Sequence, residues 1–139
     1  MSRYMNVAEM FRKASEKETT NEKIEYLKET NREIVETIVN ALYNEKIKYY
    51  KIDITGYKEY NDFEPWSTLQ KELRYLYLFQ KGNVTADNLT TEKRNQLLLQ
   101  SLERMNKDEA KIMIGILNGT LSIAGLSKKV LVDNFMKGK

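Results

Sequence analysis

Ser127, Lys128 and Lys129 stand where a helix should begin, just after a short run that holds Gly119 and Gly125. The first N–H groups of a helix attract anions, and two lysines in the first turn bias such a site toward phosphate. Lys93 and Arg94 hold a similar place in an earlier helix, behind a cap at Thr90 or Thr91 and against the usual preference for acidic residues there. That pair marks either a bound anion or an ordinary surface. A third basic group, Lys46, Lys48 and Lys51, interleaves with Ile47, Tyr49, Tyr50, Ile52 and Ile54. Lysines mixed with tyrosines suit a nucleic-acid backbone with bases stacked on rings. The simpler reading is that the tyrosines pin a long connector to the core while the lysines keep it in solvent.

Catalytic chemistry has less to work with. The chain has no cysteine and no histidine, which excludes disulfides, Cys/His zinc sites, Ser-His-Asp catalysis and histidine switching. Lys51-Ile52-Asp53-Ile54 partly matches the Lys-x-Asp-Gly core of nucleotidyltransferases, but the glycine is missing, and a nucleophilic lysine needs a pocket that lowers its pKa. There is no glycine-rich phosphate loop. The carboxylates are spaced as on helix surfaces, and nothing argues for Mg²⁺. The six methionines read as core filler. The expectation is a protein that is not an enzyme, with no cofactor, no metal and no small-molecule substrate.

Net charge is +3, too small to announce a polyanion binder. Its distribution says more: residues 1–64 carry 11 Lys/Arg against 13 Asp/Glu, and residues 65–139 carry 12 against 7. One acidic and one basic side follow, with weak support for a polyanion partner. The first residues lack the apolar run of a signal peptide, and no stretch approaches the roughly 20 apolar residues of a membrane helix. A soluble cytoplasmic protein without a membrane partner is expected.

The elements that must position these lysines read as helices. With one proline and many Glu, Lys, Leu and Asn, the 139 residues suit a single all-α domain, residues 1–139, large enough for a core. Capping-box patterns at Asn6-Val7-Ala8-Glu9, Thr19-Thr20-Asn21-Glu22 and Thr30-Asn31-Arg32-Glu33 predict three short helices. Val7, Met10, Phe11 and Ala14 face inward in the first, Ile24 and Leu27 in the second. Ile34, Val35, Ile38, Val39, Leu42 and Tyr43 form the stripe of the third. Residues 45–65 predict an extended connector with room for a short hairpin, closed by turns at Asn61-Asp62 and Glu64-Pro65. Ser67 should cap a fourth, central helix with Leu69, Leu73, Leu76, Tyr77 and Phe79 inward. Trp66 would staple its start, and Gly82 would end it. A polar loop runs to Leu89. Leu97, Leu98, Leu99 and Leu102 serve the fifth helix. Asn106-Lys107-Asp108-Glu109 caps the sixth, with the glutamate reaching back, and Gly119 ends it in a left-handed conformation. Ser127 caps the last. The expected architecture is an irregular bundle of about seven short helices, with the tyrosine- and lysine-rich connector and a C-terminal helix-turn-helix hairpin.

Leu117-Asn118-Gly119-Thr120-Leu121-Ser122-Ile123-Ala124-Gly125-Leu126-Ser127-Lys128-Lys129-Val130 resembles the end of the N-terminal all-helical DNA-binding domain of phage and viral ATP-dependent DNA ligases. There a helix ends in a short run, then Gly, an aliphatic residue, Ser or Thr, a basic residue and an aliphatic helix ending near an aromatic. Gly125, Leu126, Ser127, Lys128 or Lys129, Val130 and Phe135 fill those places. The N-terminal half is similar to the T-even-type ligases in its helix order, and Asn44-Glu45-Lys46-Ile47-Lys48-Tyr49-Tyr50 stands where their basic-tyrosine segment falls. The chain also looks like small stand-alone proteins of unassigned function carried by T-even-like phages. In those a helix of the type Leu76-Tyr77-Leu78-Phe79 precedes a leucine-rich helix and a lysine-bearing hairpin.

The resemblance implies a phage-encoded module in the host-cell cytoplasm, acting in DNA replication or recombination. It would grip double-stranded DNA by its backbone through Ser127, Lys128 and Lys129, with the lysines of the Lys46 to Lys51 segment as a second contact. Without adenylation and OB-type domains it would not seal a nick. The Trp-Pro-Gly type ending of the ligases is replaced by Phe135-Met136-Lys137-Gly138. The competing expectation is a protein-interaction module that binds a phage or host protein (a replisome component, a host polymerase or a defence protein) through Tyr57, Tyr60 and Trp66.

Overall fold

Asn6 opens the first helix by local chemistry. Its side chain accepts from the N–H groups of Ala8 and Glu9, at 2.8 and 3.3 Å. The computed structural model describes residues 5–59 and 65–136. Helix α1, Val7–Ser15, buries Val7, Met10, Phe11 and Ala14, the i, i+3, i+4, i+7 face read from the sequence. Thr19 then caps α2, Thr20–Tyr43, in a reciprocal capping box with Glu22.

The expected second and third helices are one element with a kink. Asn31 leaves helical geometry (φ −163°, ψ 78°), and its side chain accepts from the Ile34 N–H at 3.3 Å, as an N-cap would. The restart signal is real but sits at Asn31, not Thr30. Ile34, Val35, Ile38, Val39 and Ala41 are buried beyond it, whereas Leu42 and Tyr43 are half-buried. Helix α2 packs against α1, α6 and α7 and is the centre of the fold.

The segment expected to be a central helix is instead a single α-turn, α3 (Leu69–Glu72), followed by a 3₁₀ run from Leu73 to Phe79. Thr68 caps it, not Ser67. The physical reason for the tight run is a burial period of three: Leu73, Leu76 and Phe79 are buried, with exposed Arg74, Tyr75 and Tyr77 between them. Three residues per turn place every third side chain on one side, so Tyr77 turns outward. Trp66 is 81 % exposed and staples nothing. Within the expected polar loop, Asn83 caps one short turn, α4 (Val84–Asp87).

Helix α5, Thr91–Arg104, is capped by Thr90 and buries Leu98 and Leu102, with Leu97 and Leu99 at its margins. Asn106 caps α6, Lys107–Asn118, and Gly119 ends it at φ +69°. Gly115 lets the chain fold back: a Cβ there would meet the Leu121 Cβ at 3.1 Å. A left-handed pair, Ala124 (φ 53°) and Gly125 (φ 72°), turns into α7, Lys128–Phe135, capped by Ser127. Six of the seven α-helices among the described residues share one core, which runs from Val7 to Phe135 and includes Leu27, Ile38, Leu69, Leu102, Met113 and Leu131, while α4 buries Ala86 apart from it.

Two buried carboxylates tie the bundle together. Glu109, 1 % exposed, does not reach back to Asn106. It accepts from Val7 N–H at 2.8 Å and Leu69 N–H at 3.0 Å, so it satisfies the first turns of α1 and α3 at once. Glu72 accepts from the hydroxyls of Ser67 and Ser101, both at 2.6 Å, and from Arg104 at 3.1 Å, which joins α3 to α5.

The connector finds its partner far along the chain. Among the described residues it forms no hairpin of its own. Tyr49 instead makes an isolated antiparallel bridge with Gln80, flanked by Tyr50 N–H donating to the Phe79 carbonyl at 2.8 Å and Lys81 N–H to that of Lys48 at 2.7 Å. Its far end is held by Glu103, which accepts from the Lys58 N–H, and by a Lys111–Glu59 ion pair. Tyr60, Asn61, Asp62 and Glu64 lie outside the described residues, as do Lys137 and Gly138 of the divergent ending. No helix among the described residues is long and apolar enough to cross a membrane.

Candidate nucleic-acid interface

The start of α7 is built as its sequence suggests. Ser127 Oγ accepts from Val130 N–H at 3.2 Å, and Leu131 and Phe135 bury the opposite side of the helix. Lys128 and Lys129 are exposed. Their backbone N–H groups, as the first of a helix, have no intrahelical acceptor. Lys129 lies 3.9 Å from Asp133, an exposed i, i+4 pair that offsets part of its charge. Lys128 Nζ sits 5.6 Å from the centre of the Tyr43 ring, at the last residue of α2. This contact joins the hairpin to the place where the connector leaves.

Lys46, Lys48 and Lys51 follow within a few residues, all exposed. The Lys48 carbonyl pairs with the Lys81 N–H, which brings in Lys81, a residue that no motif in the sequence marks. Its signal is weak, because Gln80 and Lys81 become neighbours of the connector only through the bridge to Tyr49. Residues 43–50 span at most about 25 Å even when fully extended, so Lys128, Lys46, Lys48 and Lys81 lie along one short path. Lys23 is a second addition. Its Nζ donates to the Ala124 carbonyl at 3.0 Å and steadies the turn that leads into α7.

At the start of α5 the basic pair divides. Lys93 is exposed, and its N–H is held by Thr90 Oγ1 at 3.0 Å. Arg94 is only 6 % exposed and is removed from any phosphate-facing set. Its Nη2 donates to the Ala86 and Leu89 carbonyls at 2.8 and 3.1 Å, and its guanidinium stacks 3.7 Å above the Tyr50 ring. The mismatch with the helix dipole therefore reflects a tertiary joint: Arg94 reaches back to fasten α4 and the connector.

The two tyrosines are anchors. Tyr49 is half-buried, its hydroxyl directed at the Ala41 carbonyl, and burial pushes its pKa up from 10.0 to about 12. Tyr50 donates to Asp87, which also accepts from Gly82 N–H. That bond raises the Tyr50 pKa and lowers that of Asp87. Tyr57 packs on the core as well. Neither Tyr49 nor Tyr50 is a freely presented ring, and the exposed side chains of this stretch are those of Lys46, Lys48 and Lys51 around them.

The model of a family of unknown function, DUF6433, matches residues 10–123. No curated protein and no solved structure matches the chain.

Proposed function

The chain belongs to that family of unknown function, and from this premise we propose that it is a non-catalytic, sequence-tolerant duplex-DNA-binding module, an accessory of phage replication or recombination. One observation carries the reading: the Lys128–Tyr43 contact, which sets the lysine-bearing start of α7 beside the root of the connector that bears Lys46, Lys48 and Lys51. Exposed lysines that follow one another along a short stretch of chain suit a phosphate backbone, whose charges recur every few ångströms. Lys93 extends the set at the Tyr50 end. Contacts of this type position a protein on DNA without reading bases.

A fluorescence titration with a labelled duplex, near 50 mM salt where such contacts are strong, tests it. Binding should be insensitive to sequence. Reversing Lys128 and Lys129 to Glu should weaken it at least about tenfold and reduce the salt slope by about two. Absence of duplex binding, or an unchanged affinity in that double variant, removes this reading.

A second reading, a module that binds a phage or host protein, is favoured by Trp66, whose ring is left out of the core. Exposed tryptophans are frequent anchors of protein contacts. Under this reading a partner survives nuclease treatment in a pull-down and is lost in Trp66→Ala.

A further inference from the structure

The 3₁₀ run presents an outward face that neither the core nor the lysine path uses. With three residues per turn, positions i and i+3 eclipse one another, so Arg74 and Tyr77 lie one above the other on the solvent side. Tyr77 is 42 % exposed, and Tyr75, on the adjacent side, is 41 % exposed. Arg74 uses Nε on the Lys71 carbonyl at 3.4 Å. Among the described residues, neither Arg74 nor Lys71 meets a carboxylate. Beside them, between the second half of α2 and α3, lies an open groove of about 640 Å³. Its apolar base is Ile34 and Leu73; Thr37 and Thr68 add hydroxyls, Lys71 and Arg74 form one rim and Glu33 the other.

We propose that this face binds single-stranded nucleic acid, with Lys71 and Arg74 on phosphates, Tyr77 stacked on one base and the groove holding its neighbour. The partner class rests on the DNA-binding function proposed above; the state of the strand is new. Unpaired cations beside exposed rings are the combination that single strands need, since every base offers a π-face and every linkage a charge. The groove is within the size range of small-ligand sites. Its apolar base suits a base's flat face, while Thr37, Thr68 and Glu33 offer partners to edges that pairing would occupy in a duplex. Glu33 repels phosphate, which leaves the backbone to the Lys71 and Arg74 rim. A duplex presents neither a free face nor a free edge.

The test titrates the full chain with a labelled single-stranded oligonucleotide and with a duplex of the same length. The variants are Tyr77→Ala, Tyr77→Phe, Arg74→Glu and the Lys128/Lys129 reversal, with folding checked by circular dichroism. Tyr77→Ala should weaken single-strand binding about fivefold or more. Tyr77→Phe should restore it, and Arg74→Glu should weaken it and flatten its salt dependence, while duplex affinity stays constant in all three. No single-strand binding, or single-strand binding unchanged in both Tyr77→Ala and Arg74→Glu, overturns the inference. Duplex binding that falls only with the Lys128/Lys129 reversal would then leave the duplex function standing. Single-strand binding that depends on Tyr77 and Arg74, with no duplex binding, upholds the groove site and removes the duplex function.

Discussion

In the α6–α7 hairpin, the residue at each boundary sets that boundary. Asn106 accepts from its own first turn, Gly119 takes the left-handed conformation, and Ser127 holds the Val130 N–H. Between residues 44 and 89 the local caps at Thr68 and Asn83 set only single short turns, and the remaining determinants come from elsewhere in the chain. Tyr49 pairs with Gln80, Arg94 of α5 fastens the carbonyls of Ala86 and Leu89, and Glu109 of α6 supplies the acceptor for Leu69. The first region is specified by short-range capping, each cap worth about 1 kcal/mol. The second is held by side chains that find partners only after the chain has folded, and it should give way as a unit.

The largest effect expected is from Glu109→Ala. It strips the acceptor from two buried N–H groups on two helices and should cost roughly 2–6 kcal/mol in urea unfolding. Glu109→Gln, which keeps one acceptor oxygen, should cost less. A loss below about 1 kcal/mol would mean that α1 and α3 do not depend on α6 in this way.

Arg94→Ala should cost about 1–3 kcal/mol through two lost charge-assisted hydrogen bonds and the stack on Tyr50. Hydrogen exchange sharpens the contrast. The amides of Tyr50 and Lys81 should lose protection while those of α6 keep theirs; equal loss throughout would show that the two regions are one cooperative unit.

Alkaline titration probes the connector alone. The Tyr49 pKa is raised in the folded state, so its neutral form is favoured there. Its contribution is complete below pH 10.0 and is lost progressively between 10.0 and about 12. Allowing for its exposed part, that loss should reach roughly 2 kcal/mol. Tyr49→Phe should flatten this stretch of the stability curve, measured by chemical denaturation at several pH values.

Gly119→Ala should cost about 1 kcal/mol by thermal melting. A methyl group there meets nothing within 4 Å, so the loss is the left-handed backbone alone. Trp66→Ala should change stability by less than about 0.5 kcal/mol, as its exposure requires.

The sequence alone determined the helical class and the ends of most helices. Caps and left-handed glycines act within a single turn, and apolar spacing at 3–4 residues names the buried faces of α1, α2, α5 and α6 without knowledge of what they face. The bases of the candidate site were legible for the same reason, since Ser127, Lys128 and Lys129 lie within one local motif. Only the tertiary structure decided the rest. It turned the expected central helix into a 3₁₀ run, because burial at every third residue suits a narrow contact with the core. It sent Glu109 away from its own helix end, and it buried Arg94 under a tyrosine 44 residues earlier in the chain. Partners so distant in sequence leave no periodic trace, because the pairing depends on which surfaces meet and not on which residues adjoin.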